Sequence, residues 1–147
     1  MRILLNLFMQ NWKDYKVRIK IPVRWGDMDA YEHVNNAVYV KWNEDARIEY
    51  LKKLSKKLHD SKVGPILARQ DVKYIFPVAF PDTIHLGIRV CEILKDRLVF
   101  ETKMWSKKSK RLVSIVHSTV MAYDLTKKEK TDIPIDWLEG IKKIEGK

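Results

Sequence analysis

Residues 37–58 contain neither glycine nor proline, and strand-like segments joined by tight turns follow them. That order constrains the fold more than any other feature of the chain. A run of this length without a breaker predicts a helix of about six turns. Four extended segments come after it: 66–76, 83–94, 97–105 and 111–125. They are separated by the turn-like Phe80-Pro81-Asp82, by Lys95-Asp96 and by Lys107-Lys108-Ser109-Lys110. Before the helix, residues 15–23 alternate, with Val17, Ile19, Ile21 and Val23 on one side, as in a half-buried strand. Successive hairpins imply an antiparallel sheet. A single long helix must then cover one face of it, so the predicted class is α+β, with about five strands around a central helix. Pro134 opens a short terminal helix through Trp137 and Leu138.

At 147 residues the chain makes a single domain. Residues 1–14 read as an N-terminal extension and 134–147 as a short helix and tail. The apolar opening is short and interrupted by Asn6, which argues against a signal peptide. Met9 precedes a polar stretch, so translation is expected to start there. No run approaches the ~18 apolar residues that span a bilayer, so membrane insertion is not expected. The one cysteine, Cys91, cannot form an internal disulfide; it suits a reducing, cytoplasmic compartment and is expected to be a buried, inert thiol. The net charge of +10 admits three explanations: a solvated lysine surface, attraction of phosphates on a ligand such as coenzyme A, or nucleic-acid binding. The lysines scatter into turns and onto one helix face, forming no stripe interleaved with aromatics. No nucleic-acid partner is therefore expected.

On a helical wheel counted from Ala37, the residues Ala37, Val40, Ile48, Leu51, Leu54 and Leu58 fall in an arc from about 260° round to about 20°. Glu44 falls in the middle of this expected core face. A carboxylate there needs a partner or a function. Arg47, three residues on, is one expected partner. Lining a pocket between subunits is the other explanation.

The loop before the helix is crowded with polar groups: Asp27, Asp29, Glu32, His33, Asn35 and Asn36. Taken singly they are caps and turn residues, with Asn35 or Asn36 capping the helix and His33 hydrogen-bonded in the loop. Together they suggest more. A helix N-terminus offers unpaired N–H groups suited to a developing oxyanion. Asp29 lies seven residues before Asn36, within reach of folding back to attack an acyl carbonyl or activate water. No nucleophile elbow, phosphate-binding glycine loop or dinucleotide fingerprint is present. His33, His59, His85 and His117 lack metal-ligand spacing, so no metal is expected.

The segment Val23-Arg24-Trp25-Gly26-Asp27-Met28-Asp29-Ala30-Tyr31-Glu32-His33-Val34-Asn35-Asn36-Ala37-Val38-Tyr39 resembles the opening of hotdog-fold acyl-CoA thioesterases. It is similar to the 4-hydroxybenzoyl-CoA thioesterase family and its long-chain acyl-CoA relatives. Glu44-Asp45-Ala46-Arg47 and Val72-Lys73-Tyr74-Ile75-Phe76-Pro77-Val78 continue the resemblance, which spans about residues 15–134. It implies a long helix wrapped by an antiparallel sheet, subunits joined edge to edge into homodimers or homotetramers, and active sites at the dimer interface. It places the catalytic acid at Asp29 and the carbonyl-polarising N–H at Asn36. A second branch of the family uses a helix glutamate eight residues later, here Glu44, which is expected to face the same pocket in support. His33 matches the His-Val-Asn-Asn of long-chain and plant carrier-protein thioesterases, but Tyr31 and Pro77 depart from the plant pattern. The expectation is a hydrolase of lipid metabolism acting on acyl-CoA without a cofactor of its own. A carrier-protein thioesterase or a non-catalytic acyl-CoA binder is the alternative, and a basic nucleic-acid module a remote one.

Overall fold

The computed structural model describes residues 2–56, 58 and 61–146. Helix α1 (Arg2–Lys13) leads into strand β1 (Val17–Pro22), and a 3₁₀ turn at Trp25–Asp27 precedes helix α2 (Asn36–Leu54). Strands β2 (Val63–Tyr74), β3 (Thr83–Ile93), β4 (Arg97–Ser106) and β5 (Arg111–Asp124) follow, then a short β6 (Glu129–Lys130) and helix α3 (Ile135–Glu145). The main sheet is antiparallel in the order β1-β3-β4-β5-β2, with β6 added beside β5. The α+β class, the central helix and the five principal strands match the sequence. Of the predicted helix end, Lys57 lies outside the described residues, as does His59. The observed α2 stops at Leu54, where Ser55 turns to extended backbone.

Strand alternation builds two layers. On β3, Ile84, Leu86 and Ile88 point toward α2 and join Leu98, Phe100, Met104, Val113, Val116 and Val120 in the main core. The buried face of α2 is not the aliphatic one. Tyr39, Trp42, Asn43, Ala46, Tyr50 and Leu54 are buried, whereas Val40 and Ile48 are exposed. The wheel therefore placed the core face wrongly by a quarter turn or more. Aromatic rings fill the wide gap between a helix and a curved sheet, so the stripe centred near 200° on the wheel wins. Tyr50 packs edge-on against Phe100, and Tyr39 against Trp42 and Tyr74. Asn43 is buried among them and donates to Gln70 Oε1 at 2.7 Å and Ser118 Oγ at 2.9 Å, fastening α2 to β2 and β5. At the far end, Trp137 of α3 is fully buried in the same core, and a Cβ on Gly140 would lie 2.2 Å from the Leu54 carbonyl oxygen. A bare glycine is what lets α3 seat against the end of α2.

The opposite face of the sheet is covered by α1, which the sequence presented as an extension. Phe8, Trp12 and Tyr15 form a second cluster with Trp105. The Tyr15 ring lies directly on Gly87, and the Trp12 indole N–H donates to the Leu86 carbonyl at 2.9 Å. Cys91 is on this outer side of β3 and is exposed, correcting the expectation of burial. Its position at the bulge between Val90 and Glu92 takes it out of the regular ladder, where its thiol donates to the Val99 carbonyl at 3.4 Å.

His85 is buried on the same face, with its ring edge-on to Phe8 and Trp12. Burial, together with Lys20 and Lys107, holds its pKa below the ordinary 6.5, against smaller opposing effects of a backbone hydrogen bond at Thr83 and of Asp82. The folded state therefore binds this proton less readily than the unfolded chain. The stability involved is fully present above pH 6.5 and is lost as pH falls toward the folded-state pKa. The loss of denaturation free energy between about pH 7 and pH 5 is expected to be smaller in His85→Phe than in the native protein. An unchanged loss would remove His85 as its source.

Candidate active site

The loop between β1 and α2 is pinned by its own backbone. Asp29 N–H donates to the His33 carbonyl at 2.9 Å and Glu32 N–H to the Asp29 carbonyl at 3.0 Å, while Val34 N–H reaches Val78 at 2.8 Å. Glu32 occupies the left-handed region at φ 62°, a conformation that costs a non-glycine residue about 1 kcal/mol. Strain of this kind concentrates at functional sites.

Asp27 and Asp29 separate clearly. Asp27 is a structural cap: its Oδ2 accepts from Arg24 N–H at 2.8 Å, and its carbonyl accepts from Asn35 N–H at 2.9 Å. Asp29 is exposed and uses only Oδ1, which accepts from Tyr31 N–H at 2.9 Å. Oδ2 has no donor among the described residues. The two asparagines also separate. Asn35 is the N-cap, its Oδ1 accepting from Ala37 N–H at 3.0 Å and its carbonyl from Val38 N–H at 3.0 Å. Asn36 is the first helical residue, and its N–H has no acceptor among the described residues. Its carbonyl is held by the Tyr74 hydroxyl at 3.1 Å, a tie from β2 that the sequence did not suggest. His33 is exposed in the same loop and contributes its backbone carbonyl.

The structure thus brings Asp29, His33 and Asn36 into one loop and helix start. Glu44 stands apart, eight residues or about 12 Å farther along α2. Its side chain is 45% exposed and pairs with Lys41 at 2.7 Å, not with Arg47. Lys41 holds the Glu44 carboxyl below the usual carboxylate range. Glu44 is therefore an ionised surface carboxylate within one subunit, and the wheel's core position for it is corrected. The i, i+3 spacing to Lys41 was the available signal, obscured by placing the core on the aliphatic face.

Two hollows border the loop before α2, and only the second reaches the helix itself. One, of about 660 Å³, is lined by Trp25, Met28, Asp29, Glu32, Ala79 and Phe80. The other, of about 380 Å³, is bordered by Arg24, Asp27, Val38, Lys41, Trp42 and Asp45. Glu44 lines neither. Among the described residues no three His, Cys, Asp or Glu side chains converge as metal ligands, and no helix is long and apolar enough to cross a membrane.

A long helix seated in a curved antiparallel sheet is the architecture of hotdog-fold thioesterases. The model of the thioesterase-like superfamily matches residues 23–141, and the chain belongs to that family. Among solved structures it is similar to a thioesterase of Thermus thermophilus, crystallised with coenzyme A and zinc. The TM-score is 0.81 and the identity 25%, over 92% of this chain and 98% of that one. The putative thioesterase PA2801 of Pseudomonas aeruginosa gives a TM-score of 0.77 and 26% identity, covering 86% and 98%. The uncharacterized protein YsmA of Bacillus subtilis is 28% identical over 90 residues, which span 60% of this chain and 61% of that protein.

Proposed function

We propose that the chain hydrolyses an acyl-CoA thioester to a free acid and coenzyme A. The observation that carries this reading is the unpaired Asn36 N–H at the positive end of a 19-residue helix, preceded by a loop that holds the half-used carboxylate of Asp29. A thioester carbonyl hydrogen-bonded to that N–H becomes more electrophilic, and the helix end favours the negative charge that develops on its oxygen. Asp29 then takes a proton from water as the water oxygen attacks the carbonyl carbon. The C–S bond breaks, and the proton leaves with the coenzyme A sulfur. As nucleophile, Asp29 would instead form an acyl anhydride that water opens. His33 belongs to the same loop as Asp29, while Glu44, held at the surface by Lys41, takes no part in the step.

The coenzyme A bound by the Thermus thermophilus relative supports the substrate class. The edge strand β2 leaves Ile66, Leu67 and Tyr74 exposed, which supports a homodimer formed along it, with tetramers as its further pairing. The free thiol of Cys91 suits a reducing, cytoplasmic setting in lipid metabolism.

Free-thiol release from a panel of acyl-CoAs tests the proposal. Turnover of at least one member is expected. Saturable binding of all of them with no thiol release would replace the hydrolase with an acyl-CoA binding protein.

A further inference from the structure

The peptide group that carries the Asn36 N–H runs between two anchored residues, and one of the anchors comes from a distant strand. On its N-terminal side, Asn35 N–H donates to the Asp27 carbonyl at 2.9 Å. On its C-terminal side, the Tyr74 hydroxyl donates to the Asn36 carbonyl at 3.1 Å. The following peptide is engaged at both ends as well: its carbonyl accepts from Tyr74, and its N–H, that of Ala37, donates to Asn35 Oδ1 at 3.0 Å. Hydrogen bonds linked through one peptide in this way strengthen one another.

Tyr74 is the last residue of β2, opposite Ser114 of β5. Its ring stands edge-on to Tyr39 of α2, with centroids 5.1 Å apart and planes at 87°. That contact needs only the ring, which phenylalanine also supplies. Tyr74 is half exposed, so core packing does not account for its hydroxyl, whose hydrogen bond among the described residues goes to Asn36. Desolvation raises the phenol above its ordinary pKa of 10.0, and the group stays a donor at neutral pH. The first N–H groups of a helix have no intrahelical acceptor to fix their aim. A donor to an oxyanion stabilises it only when aimed at the place where the charge develops.

We propose that Tyr74 is a positioning residue for thioester hydrolysis: acting through the Asn36 carbonyl, its hydroxyl fixes the direction of the Asn36 N–H. The inference rests on that N–H being the carbonyl-polarising group. Tyr74 is assigned no contact with the reacting atoms, so its effect falls on the transition state and not on substrate binding.

The test measures kcat and KM separately for Tyr74→Phe, Asn36→Pro and the double variant, on an acyl-CoA that the native protein turns over. Tyr74→Phe is expected to lower kcat by about fivefold, the usual worth of one neutral hydrogen bond, with KM within about twofold of native. In the Asn36→Pro background the same change is expected to alter kcat by less than about twofold, because the N–H through which it acts is gone. Tyr74 lies on the edge proposed for dimerisation, so the mass in solution of Tyr74→Phe is compared with native and is expected to be the same. An equal loss in both backgrounds would make Tyr74 an independent contributor and overturn the proposal. A native kcat in Tyr74→Phe, a loss confined to KM or a changed mass would overturn it too, with the hydrolase reading left standing. Native protein that released thiol from no acyl-CoA would count first against the hydrolase reading, and the proposal would fall with it.

Discussion

Asp29→Asn is expected to lower kcat/KM for thioester hydrolysis by about 10²–10⁴-fold, the usual contribution of a positioned general base. The substitution is chosen for what it keeps. Asp29 Oδ1 holds the loop by accepting from Tyr31 N–H at 2.9 Å, and an asparagine carbonyl oxygen accepts the same bond. The Asp29 N–H bond to His33 and the carbonyl bond from Glu32 belong to the backbone and are untouched. What is lost is the second carboxylate oxygen, the one without a donor, and with it the capacity to take a proton or attack a carbonyl. Denaturation midpoints should stay close to native while thiol release collapses. Equal rates in the two proteins would take Asp29 out of the mechanism.

Much of the fold was legible in the residues. The breaker-free run gave the helix, the period-two alternation gave the strands, and the crowded loop between them marked the helix start. Two asparagines in succession announced a cap without saying which one caps. Only the geometry assigns Asn35 to capping and leaves the Asn36 N–H open. The core face of α2 was misplaced because aliphatic residues were weighted over aromatic ones. Tyr39, Trp42 and Tyr50 reach across a gap that Val40 and Ile48 cannot fill. Glu44 was misplaced by the same error. Helix α1 was hidden for a different reason: Phe8 and Trp12 are anchors only because His85 gives them a surface to sit on, as Gly87 does for Tyr15 just beyond the helix, a tertiary match that no local pattern announces. Cys91 fell to a β-bulge, which shifts a ladder without a composition signature. The Tyr74 tie to Asn36 joins residues 38 apart in sequence and lies beyond any periodicity argument.

The central claim is that a backbone N–H, not a side chain, polarises the thioester. Asn36→Pro removes that N–H together with an exposed side chain that makes no hydrogen bond among the described residues. Proline is well tolerated at the first helical position, where its missing N–H has no intrahelical acceptor to lose. The preceding residue must be extended, and Asn35 already is, at φ −59° and ψ 141°. The Asn36 carbonyl that Tyr74 holds is retained, as is the Asn35 cap on Ala37. Measuring kcat/KM of this variant on an acyl-CoA the native protein turns over therefore isolates the hydrogen bond. A loss of about 10²–10³-fold, with helix content and denaturation midpoint near native, is the predicted result. A folded Asn36→Pro protein with a rate within about twofold of native would contradict the account, since an oxyanion-hole donor is worth far more than that.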